Sequence, residues 1–327
     1  MLFIITKYIV IAFLSLLWKV LESMLKSINN KPTCSLIITT YNQEERLCLV
    51  LLSVLALQPL PDEVLIADDG STEKTQDLIQ LFQAIFPCPL LHVWQEDKGF
   101  RLAQVRNKAI SSAKGEYIIL IDGDMILESH FIADHLKFAK QRTLLQGSRI
   151  MLSEPISKGI LFKVPKIISD IYIYIYIRNY SQAKTYLQEF DTNGFPYALI
   201  DNSYTVYLPK EAKARRILPL AAFLYKVSKI TSRYFDKKEM IRGIRGCNMG
   251  FYKADFLRIK GFNENFIGWG REDSDFVARF LFAGGEMRRL RFYGIAYHIY
   301  HPENERNMLE KNHKIYLDTI RHKKVQW

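Results

Sequence analysis

The chain has 327 residues, of which 49% are hydrophobic and 24% are charged, so a packed core is expected and disorder is not. Its length suits one large α/β domain or two smaller ones. The net charge of +11 favours anionic partners, but charge alone does not choose among nucleic acid, anionic lipid and nucleoside diphosphate. The four cysteines lack C-x-x-C spacing, which favours reduced thiols over a zinc site or a disulfide framework.

The first 30 residues are more apolar than the rest, with few polar side chains between residues 2 and 18. A membrane-spanning helix needs about 20 apolar residues, so this run is at the lower edge of that length. We predict an apolar helix over residues 1–30. It is a short membrane anchor, a helix in the membrane interface, or a helix packed on the protein. Trp18 and Lys19 end the run as an interfacial belt would, which favours membrane contact.

Buried strands alternate with helices in the first half of the chain. Short β-branched apolar runs predict strands, and longer runs with helical spacing predict helices. The predicted strands are 34–40, 63–67, 90–94 and 117–121, and the predicted helices are 47–57, 72–86 and 103–113. This alternation implies right-handed crossovers and a mostly parallel sheet.

Polar clusters follow three of these strands, at residues 39–42, 68–71 and 122–124. Ligands bind beyond the carboxyl ends of strands in such sheets, so we expect the three clusters to converge. Each also has a simpler interpretation as a turn or a helix cap. Two carboxylates one residue apart, Asp122 and Asp124, would nevertheless suit a ribose and a hard cation such as Mg²⁺ or Mn²⁺.

A second group of polar residues lies in the last third of the chain. Trp269 and Gly270 precede Glu272, Asp273 and Asp275 at a predicted helix start. The helix dipole favours acids there, so capping is the simple interpretation. We favour the functional one, in which the tryptophan packs on a sugar ring and one carboxylate is a general base.

Two basic side chains have similar alternatives. Arg106, on the predicted helix after Gly99, is either ion-paired or placed to bind a diphosphate. His298 follows a short apolar run, and a single histidine is more often structural than a ligand. Together with the carboxylates at strand ends, however, it could complete a metal site.

Four motifs of the first half together resemble family 2 glycosyltransferases: Thr39-Thr40-Tyr41-Asn42, Asp68-Asp69-Gly70-Ser71, Val105-Arg106-Asn107 and Ile121-Asp122-Gly123-Asp124-Met125. Four later motifs resemble the carboxyl half of the β-1,4-galactosyltransferase type: residues 246–251, 261–264, 269–273 and 296–298. The combination is most similar to the transferase domains of bacterial chondroitin-type polymerases. In that family the loop reads Trp-Gly-Gly-Glu-Asp, whereas here Arg271 takes the place of the second glycine.

The resemblance implies a GT-A fold, which is α/β and Rossmann-like with a mostly parallel central sheet. It implies that the donor-binding residues are Thr39, Tyr41, Asp69, Arg106 and Asp122, and that Mn²⁺ or Mg²⁺ is bound by Asp124 and His298. It also implies that Asp273 is the catalytic base and that the acceptor sugar is bound by Trp269, Gly270 and Glu272. The expected reaction is inverting transfer of a hexose or N-acetylhexosamine from a UDP-sugar to a glycan hydroxyl.

The predicted organisation has five parts. Residues 1–30 form the apolar helix, 31–156 the nucleotide-sugar-binding half, 157–241 an insertion, 242–305 the acceptor-binding and catalytic half, and 306–327 a helical tail. The insertion is expected to be partly helical, with a strand over 171–177 where Ile and Tyr alternate. Its basic later part is either a solvated structural face or a contact for a membrane or a lipid-linked acceptor.

The expected setting is bacterial surface polysaccharide or lipooligosaccharide synthesis at the cytoplasmic face of the inner membrane. If the apolar start spans the membrane, the lysines after it keep the rest of the chain in the cytoplasm. Two alternatives remain: transfer to a lipid such as a polyprenyl phosphate, and a non-enzymatic, membrane-associated nucleotide-binding module. Nucleic acid is not an expected partner, because three acidic clusters would repel its backbone.

Overall fold

Ten strands and nine helices occur in the part of the chain that a computed structural model describes, residues 31–176, 243–290, 293–302 and 305–327. The strands are β1 Cys34–Thr40, β2 Glu63–Asp68, β3 Leu90–Trp94, β4 Tyr117–Asp122, β5 Met125–Leu127, β6 Thr143–Gln146, β7 Ser148–Met151, β8 Asn248–Tyr252, β9 Glu286–Arg289 and β10 Ile295–His298. The helices are α1 Glu44–Leu55, α2 Glu73–Gln83, α3 Leu102–Ser112, α4 Phe131–Phe138, α5 Glu154–Leu161, α6 Val164–Tyr176, α7 Lys253–Arg258, α8 Glu272–Phe282 and α9 Leu309–His322.

The central sheet has seven strands in the order β3-β2-β1-β4-β8-β6-β9. Strands β1 to β4 are paired in parallel, and so are β6 and β9, whereas β8 is antiparallel to both of its neighbours. The predicted mixed α/β fold with a mostly parallel sheet is therefore confirmed. Strands from both predicted halves of the chain belong to this one sheet, within a unit that extends from Cys34 to Trp327.

The central sheet is apolar on both faces, which explains why its strands read as continuous hydrophobic runs. In β1, Leu36 and Ile38 belong to the core cluster that includes α1 and α2, whereas Ile37 between them belongs to the cluster that includes α3 and α8. Successive side chains of a strand point to opposite faces, so β1 is covered on both sides. This covering holds the strand ends at fixed positions.

A second, three-stranded sheet has the order β5-β10-β7. Strand β10 is antiparallel to β5 and parallel to β7, with His298 opposite Met125. The backbone N–H of Ile299 donates to the carbonyl of Asp124 at 2.9 Å. The small sheet thus brings a histidine from near the end of the chain beside the carboxylates that follow β4.

The predicted strand over 171–177 is wrong for its described residues, because α6 is a helix through Tyr176. Val164, Ile167 and Ile171 are buried in the same core cluster, at spacings of three and four residues. That spacing places them on one helical face, and it outweighs the two-residue alternation of Ile and Tyr. Helix α9 lies within residues 306–327, the predicted helical tail.

Two predictions fall outside the described residues: the apolar helix over 1–30 and the insertion from residue 177 to 242. Among the residues that are described, none of the helices is both long and apolar enough to cross a bilayer. The boundaries of the five predicted parts stay predictions.

The two neighbouring side chains Ile171 and Tyr172 provide a test of α6. Ile171 is 9% exposed and Tyr172 is 50% exposed. We expect Ile171→Ala to lower the free energy of unfolding by about 2 kcal/mol, since it deletes buried methyl groups, and Tyr172→Ala to change it by less than about 0.5 kcal/mol. Urea unfolding of both variants measures this. Equal losses would instead fit the strand with two apolar faces.

Candidate active site

The three polar clusters meet at one edge of the central sheet, as predicted. Thr39 lies in register with Asp122, and its hydroxyl donates to Asp122 Oδ1 at 3.0 Å. Asp69 follows β2, and its backbone N–H donates to the Thr40 carbonyl at 3.0 Å. Gly123 lies so close to this edge that an added Cβ would be 2.6 Å from the Thr39 carbonyl oxygen, so only glycine fits there.

Arg106 lies at the centre of this region and is almost fully buried. Its Nη2 is 2.9 Å from Asp122 Oδ1, its Nη1 is 3.6 Å from Glu272 Oε1, and its guanidinium lies 5.4 Å from the Phe262 ring centroid. The ion-paired alternative therefore describes Arg106. Because its partners are the predicted ribose ligand and a predicted acceptor ligand, it links the two halves of the site.

The carboxylate of Asp69 is engaged within the protein. Its Oδ1 accepts from Gln95 Nε2 at 2.6 Å, and its Oδ2 accepts from the backbone N–H of Arg101 at 2.7 Å. Burial raises the pKa of Asp69, while these two hydrogen bonds oppose the shift. Asp69 therefore holds the loop between β3 and α3 against the end of β2.

Tyr41 is the exposed member of the predicted donor-binding set, and its hydroxyl lies 3.0 Å from Asp97 Oδ2. Gln95 and Asp97 are site residues that sequence reasoning missed. They follow β3 directly, so the rule that polar clusters at strand ends converge could have found them.

A possible metal site lies beside these strand ends. Asp124 Oδ2 is 3.4 Å from His298 Nε2 and 2.9 Å from His301 Nε2, and ligand atoms of the three residues lie within 4.8 Å of one another. The structure brings together both predicted metal ligands and adds His301. The sequence does carry a signal for His301, because it follows His298 by three residues.

The hydrogen bonding of this trio suits a cation. His301 Nδ1 is 2.6 Å from the Pro302 carbonyl, which can only accept, so Nδ1 carries the proton. A neutral His301 then directs the lone pair of Nε2 at the Asp124 carboxylate, and two acceptors face each other unless a proton or a metal ion lies between them. The other oxygen, Asp124 Oδ1, is buried without a hydrogen-bond partner. Imidazole and carboxylate suit several divalent metals, and a carboxylate suits Mg²⁺ and Mn²⁺ in particular.

Asp273 is near the start of α8, where the positive end of the helix dipole favours a carboxylate. Its Oδ2 accepts from the backbone N–H of Gly246 at 2.9 Å, and its Oδ1 accepts from the backbone N–H of Ser274 at 2.6 Å. Burial raises the pKa of Asp273, whereas the charge of Arg106 lowers it. An added Cβ on Gly246 would lie 3.1 Å from Arg106 Nη1 and 3.3 Å from Asp273 Cβ, so glycine permits this close packing.

Glu272 is the buried neighbour of Asp273. Burial raises its pKa to about 7, and the adjacent charge of Asp273 adds to the shift while Arg106 opposes it. Two adjacent acids beside one cation therefore titrate as a coupled group. At neutral pH this group can hold or release a proton, which is the property required of a site that transfers one.

The loop before α8 has a left-handed backbone. Gly268, Gly270 and Arg271 have φ values of 76°, 107° and 77°. A glycine would adopt this geometry more readily than Arg271, which gives a physical reason for a second glycine in the related motif. The Arg271 guanidinium lies 5.5 Å from the Tyr316 ring centroid, so its side chain contacts α9.

The helix α9 also positions Trp269. Asn312 is buried and its Nδ2 donates to the carbonyls of Ile267, Gly268 and Trp269 at 3.1, 3.5 and 3.4 Å. The Trp269 ring is 36% exposed, and the guanidinium of Arg306 lies 5.4 Å from its centroid. Trp269 thus presents a partly exposed aromatic surface, and the hydrogen bonds from Asn312 hold the loop that carries it.

Asp275, the third acid of α8, is structural. It pairs with Arg279 at 2.7 Å, and Thr319 donates to its other oxygen at 2.6 Å. Asn107 is structural as well, because it donates to the Phe262 carbonyl and accepts from the Phe262 backbone N–H, both at 2.8 Å. Neither residue belongs to the reacting centre.

Two protein-family models match the chain over the elements that build this site. The model of glycosyl transferase family 2 matches residues 35–168, and the model described as the N-terminal domain of galactosyltransferase matches residues 227–302. The chain therefore matches glycosyl transferase family 2 over residues 35–168, which is less than half of its length. The recognition made from the sequence motifs is confirmed.

Proteins similar to this chain include two chondroitin synthases. The chondroitin synthase of Escherichia coli is 24% identical over 282 residues, which are 83% of this chain and 35% of that protein. The chondroitin synthase of Pasteurella multocida (strain Pm70) is 27% identical over 287 residues, which are 86% of this chain and 26% of that protein. This chain therefore spans about a third or less of the length of either synthase.

Among solved structures, the mannosyltransferase PcManGT from Pyrobaculum calidifontis, in complex with GDP-Man and Mn²⁺, is similar in fold. The TM-score is 0.50 at 15% sequence identity, and the match covers 89% of this chain and 65% of that one. This similarity supports the GT-A-like fold and nothing finer.

The pKa of Glu272 predicts how stability depends on pH. The folded protein binds the proton more tightly than the unfolded chain, whose glutamates have a pKa near 4.5. The stabilising contribution is therefore complete below pH 4.5 and is lost as the pH rises to about 7. We expect Glu272→Gln to reduce this loss, as measured by urea unfolding from pH 4.5 to 7.5. The exposed Glu73→Gln is the control, and parallel curves for wild type and Glu272→Gln would contradict the assignment.

Proposed function

We propose that this glycosyltransferase is metal-dependent and inverting, and that it transfers a hexose or N-acetylhexosamine from a UDP-sugar to a glycan hydroxyl. The observation that supports this best is the pairing of two groups of residues at one edge of the sheet. Asp124, His298 and His301 form a possible metal site on one side, and the Glu272–Asp273 pair lies on the other, with Arg106 contacting both Asp122 and Glu272.

The donor would bind across the ends of β1, β2 and β4. Tyr41 offers an exposed ring for the uracil, while Thr39 and Asp69 shape the pocket from buried positions. Asp122 keeps a side chain that is 35% exposed even though its Oδ1 is engaged by Thr39 and Arg106. That exposure supports a contact with the ribose. Arg106 acts here through Asp122 and Glu272 rather than as an exposed phosphate ligand.

Mn²⁺ or Mg²⁺ would be held by Asp124, His298 and His301. Such an ion supplies positive charge that stabilises the nucleoside diphosphate as it leaves. The chain contributes the orientation: β10 and β5 align His298 with Met125, and Pro302 fixes the His301 ring through its carbonyl. A fixed second partner of this kind orients a metal-binding histidine.

Asp273 would accept the proton of the acceptor hydroxyl. Its hydrogen bonds from Gly246 and Ser274 orient the carboxylate and favour its charged form, which is the form a base requires. Attack on the face of the sugar opposite the leaving diphosphate inverts the anomeric centre. Glu272 and the loop of Trp269 and Gly270 would bind the acceptor sugar, with the Trp269 ring as its stacking surface.

The acceptor and the cellular setting are proposed more broadly. The similarity to two bacterial chondroitin synthases supports a growing bacterial surface glycan, such as a capsule or lipooligosaccharide chain, as the acceptor. The apolar run over residues 2–18 supports contact with the cytoplasmic face of the inner membrane, and with an acceptor that is linked to a lipid. Vesicle flotation of the full chain with and without Leu2→Lys and Phe3→Lys tests the membrane contact.

The class of reaction is tested by incubating the purified protein with Mn²⁺ and a panel of nucleotide sugars, with and without EDTA. We expect metal-dependent release of nucleoside diphosphate from a UDP-sugar, increased by mixed glycan acceptors. Release that EDTA leaves unchanged would contradict the metal dependence. If a donor binds in calorimetry without turnover under any acceptor, the nucleotide-binding module becomes the better description.

Variants of the histidines test the three-ligand site. We expect His298→Ala and His301→Ala each to weaken Mn²⁺ binding about tenfold or more, because each removes a nitrogen ligand. His322→Ala, on the exposed end of α9, is the matched control and should bind Mn²⁺ normally. Electron paramagnetic resonance of free Mn²⁺ gives the affinities. Normal binding by His301→Ala would return the site to the pair predicted from sequence.

Asp273→Asn tests the base. We expect turnover to fall by about 10²- to 10⁴-fold, because the amide cannot accept the proton, while donor binding stays unchanged. Diphosphate release and donor calorimetry measure the two quantities separately. Asp318→Asn, at a half-exposed position of α9 far from the candidate site in sequence, controls for the loss of one carboxylate. Near-normal turnover by Asp273→Asn would remove Asp273 from this role.

A further inference from the structure

One cation beside the possible metal site has no acidic partner. Arg149 lies on β7, in register with Ala296 of β10, so it lies on the same face of the small sheet as His298. Its one described polar contact is Nη1 to the Cys247 sulfur, at 3.9 Å. Its Nε is buried and has no hydrogen-bond partner. Within the described residues, no carboxylate lies at ion-pairing distance from this guanidinium.

The other buried arginines show what Arg149 lacks. Arg106 is 2.9 Å from an oxygen of Asp122, and Arg279 is 2.7 Å from an oxygen of Asp275. A partly buried cation is costly unless an anion compensates it. The thiol of Cys247 cannot do so, because burial raises its pKa to about 12 and it stays neutral at physiological pH. Among the described residues, therefore, none supplies a compensating anion at ion-pairing distance from Arg149.

The charges around Arg149 indicate where that anion binds. Burial lowers the pKa of His298, and the positive charge of Arg149 adds to this effect, so the two side chains are within electrostatic range of each other. The charges of Asp122 and Arg149 likewise both act on the pKa of the Cys247 thiol: the first raises it and the second lowers it. Arg149 therefore lies near the possible metal site and the end of β4, where the proposed function puts the diphosphate of a nucleotide sugar. A guanidinium suits phosphate because it donates two parallel hydrogen bonds.

We infer that Arg149 is a donor-binding residue whose guanidinium binds phosphate oxygens of the nucleoside diphosphate. This inference rests on the proposed function. It assigns the phosphate contact first expected of Arg106 to a residue on a different strand. In this role Arg149 would compensate part of the negative charge of the diphosphate, and the metal ion would compensate another part. The neutral thiol of Cys247 does not neutralise the guanidinium, so its positive charge is available to the diphosphate.

Binding of UDP in the presence of Mn²⁺, measured by calorimetry on the full chain, tests the inference. We expect Arg149→Gln to raise the Kd of UDP about 10- to 100-fold, and Arg149→Lys to raise it less because the charge is kept. The Kd of uridine, which lacks phosphate, should stay as in wild type, and the Kd of Mn²⁺ alone should not rise, because removing a nearby positive charge does not weaken the binding of a cation. Arg321→Gln, exposed on the last turn of α9, is the matched control for the loss of one positive charge.

The outcomes separate the two proposals. Wild-type affinity for UDP in both Arg149 variants overturns the inference and leaves the proposed function intact. Equal losses for uridine or for Mn²⁺ also overturn it, because Arg149 then acts on the fold or on the metal ligands. A wild-type protein that does not bind UDP with Mn²⁺ overturns the proposed function, and the inference falls with it.

Discussion

A guanidinium that is shielded from water needs negative charge close by, and Arg106 meets this need with carboxylates from two distant parts of the sequence. Asp122 ends β4, and Glu272 begins α8, 150 positions later in the numbering. Removing one partner of a buried pair typically costs about 3–5 kcal/mol, so the two segments are held together strongly. Because of this contact, displacing the end of β4 or the start of α8 would cost free energy. The other residues of the candidate site lie around it.

The second constraint is the small sheet. A metal site that uses Asp124 and two histidines requires the chain to return to β4 after more than 170 residues. Strand β10 does this by pairing with β5, only a few residues beyond Asp124, and with β7 on its other side. The pairing fixes both the ligand from the strand, His298, and the cation beside it, Arg149. The proposed metal site thus depends on three short strands.

The parts of the fold that could be predicted from sequence were those with local signals. Strands β1 and β3 have the predicted bounds, and β2 and β4 extend one residue further, because buried parallel strands are continuous apolar runs. The convergence of strand ends followed from topology alone. The helix α6 was mistaken for a strand, since the Ile and Tyr alternation was visible in sequence while the buried face formed by Val164, Ile167 and Ile171 depends on what packs against it.

Site residues followed the same division. Asp122, Asp124 and Asp273 lie in motifs, so the sequence could propose them as site residues, whereas His301 lies in a loop after a short strand. Arg149 had no motif at all, and its missing acidic partner can be recognised only when the surroundings of every nearby cation are known. Arg106 shows a related limit: the sequence shows a cation, but burial and ion pairing decide whether it is available to a ligand.

The amide of Asn312 donates to three successive carbonyls of the loop that carries Trp269. The aromatic surface is therefore positioned by a helix that contributes no reacting group. Exchanging residues of α9 offers a way to re-aim that surface toward a different sugar while the proton-transfer chemistry is left alone. Selection for new glycan structures could act there first, because the penalty for change is smaller than within the charged centre.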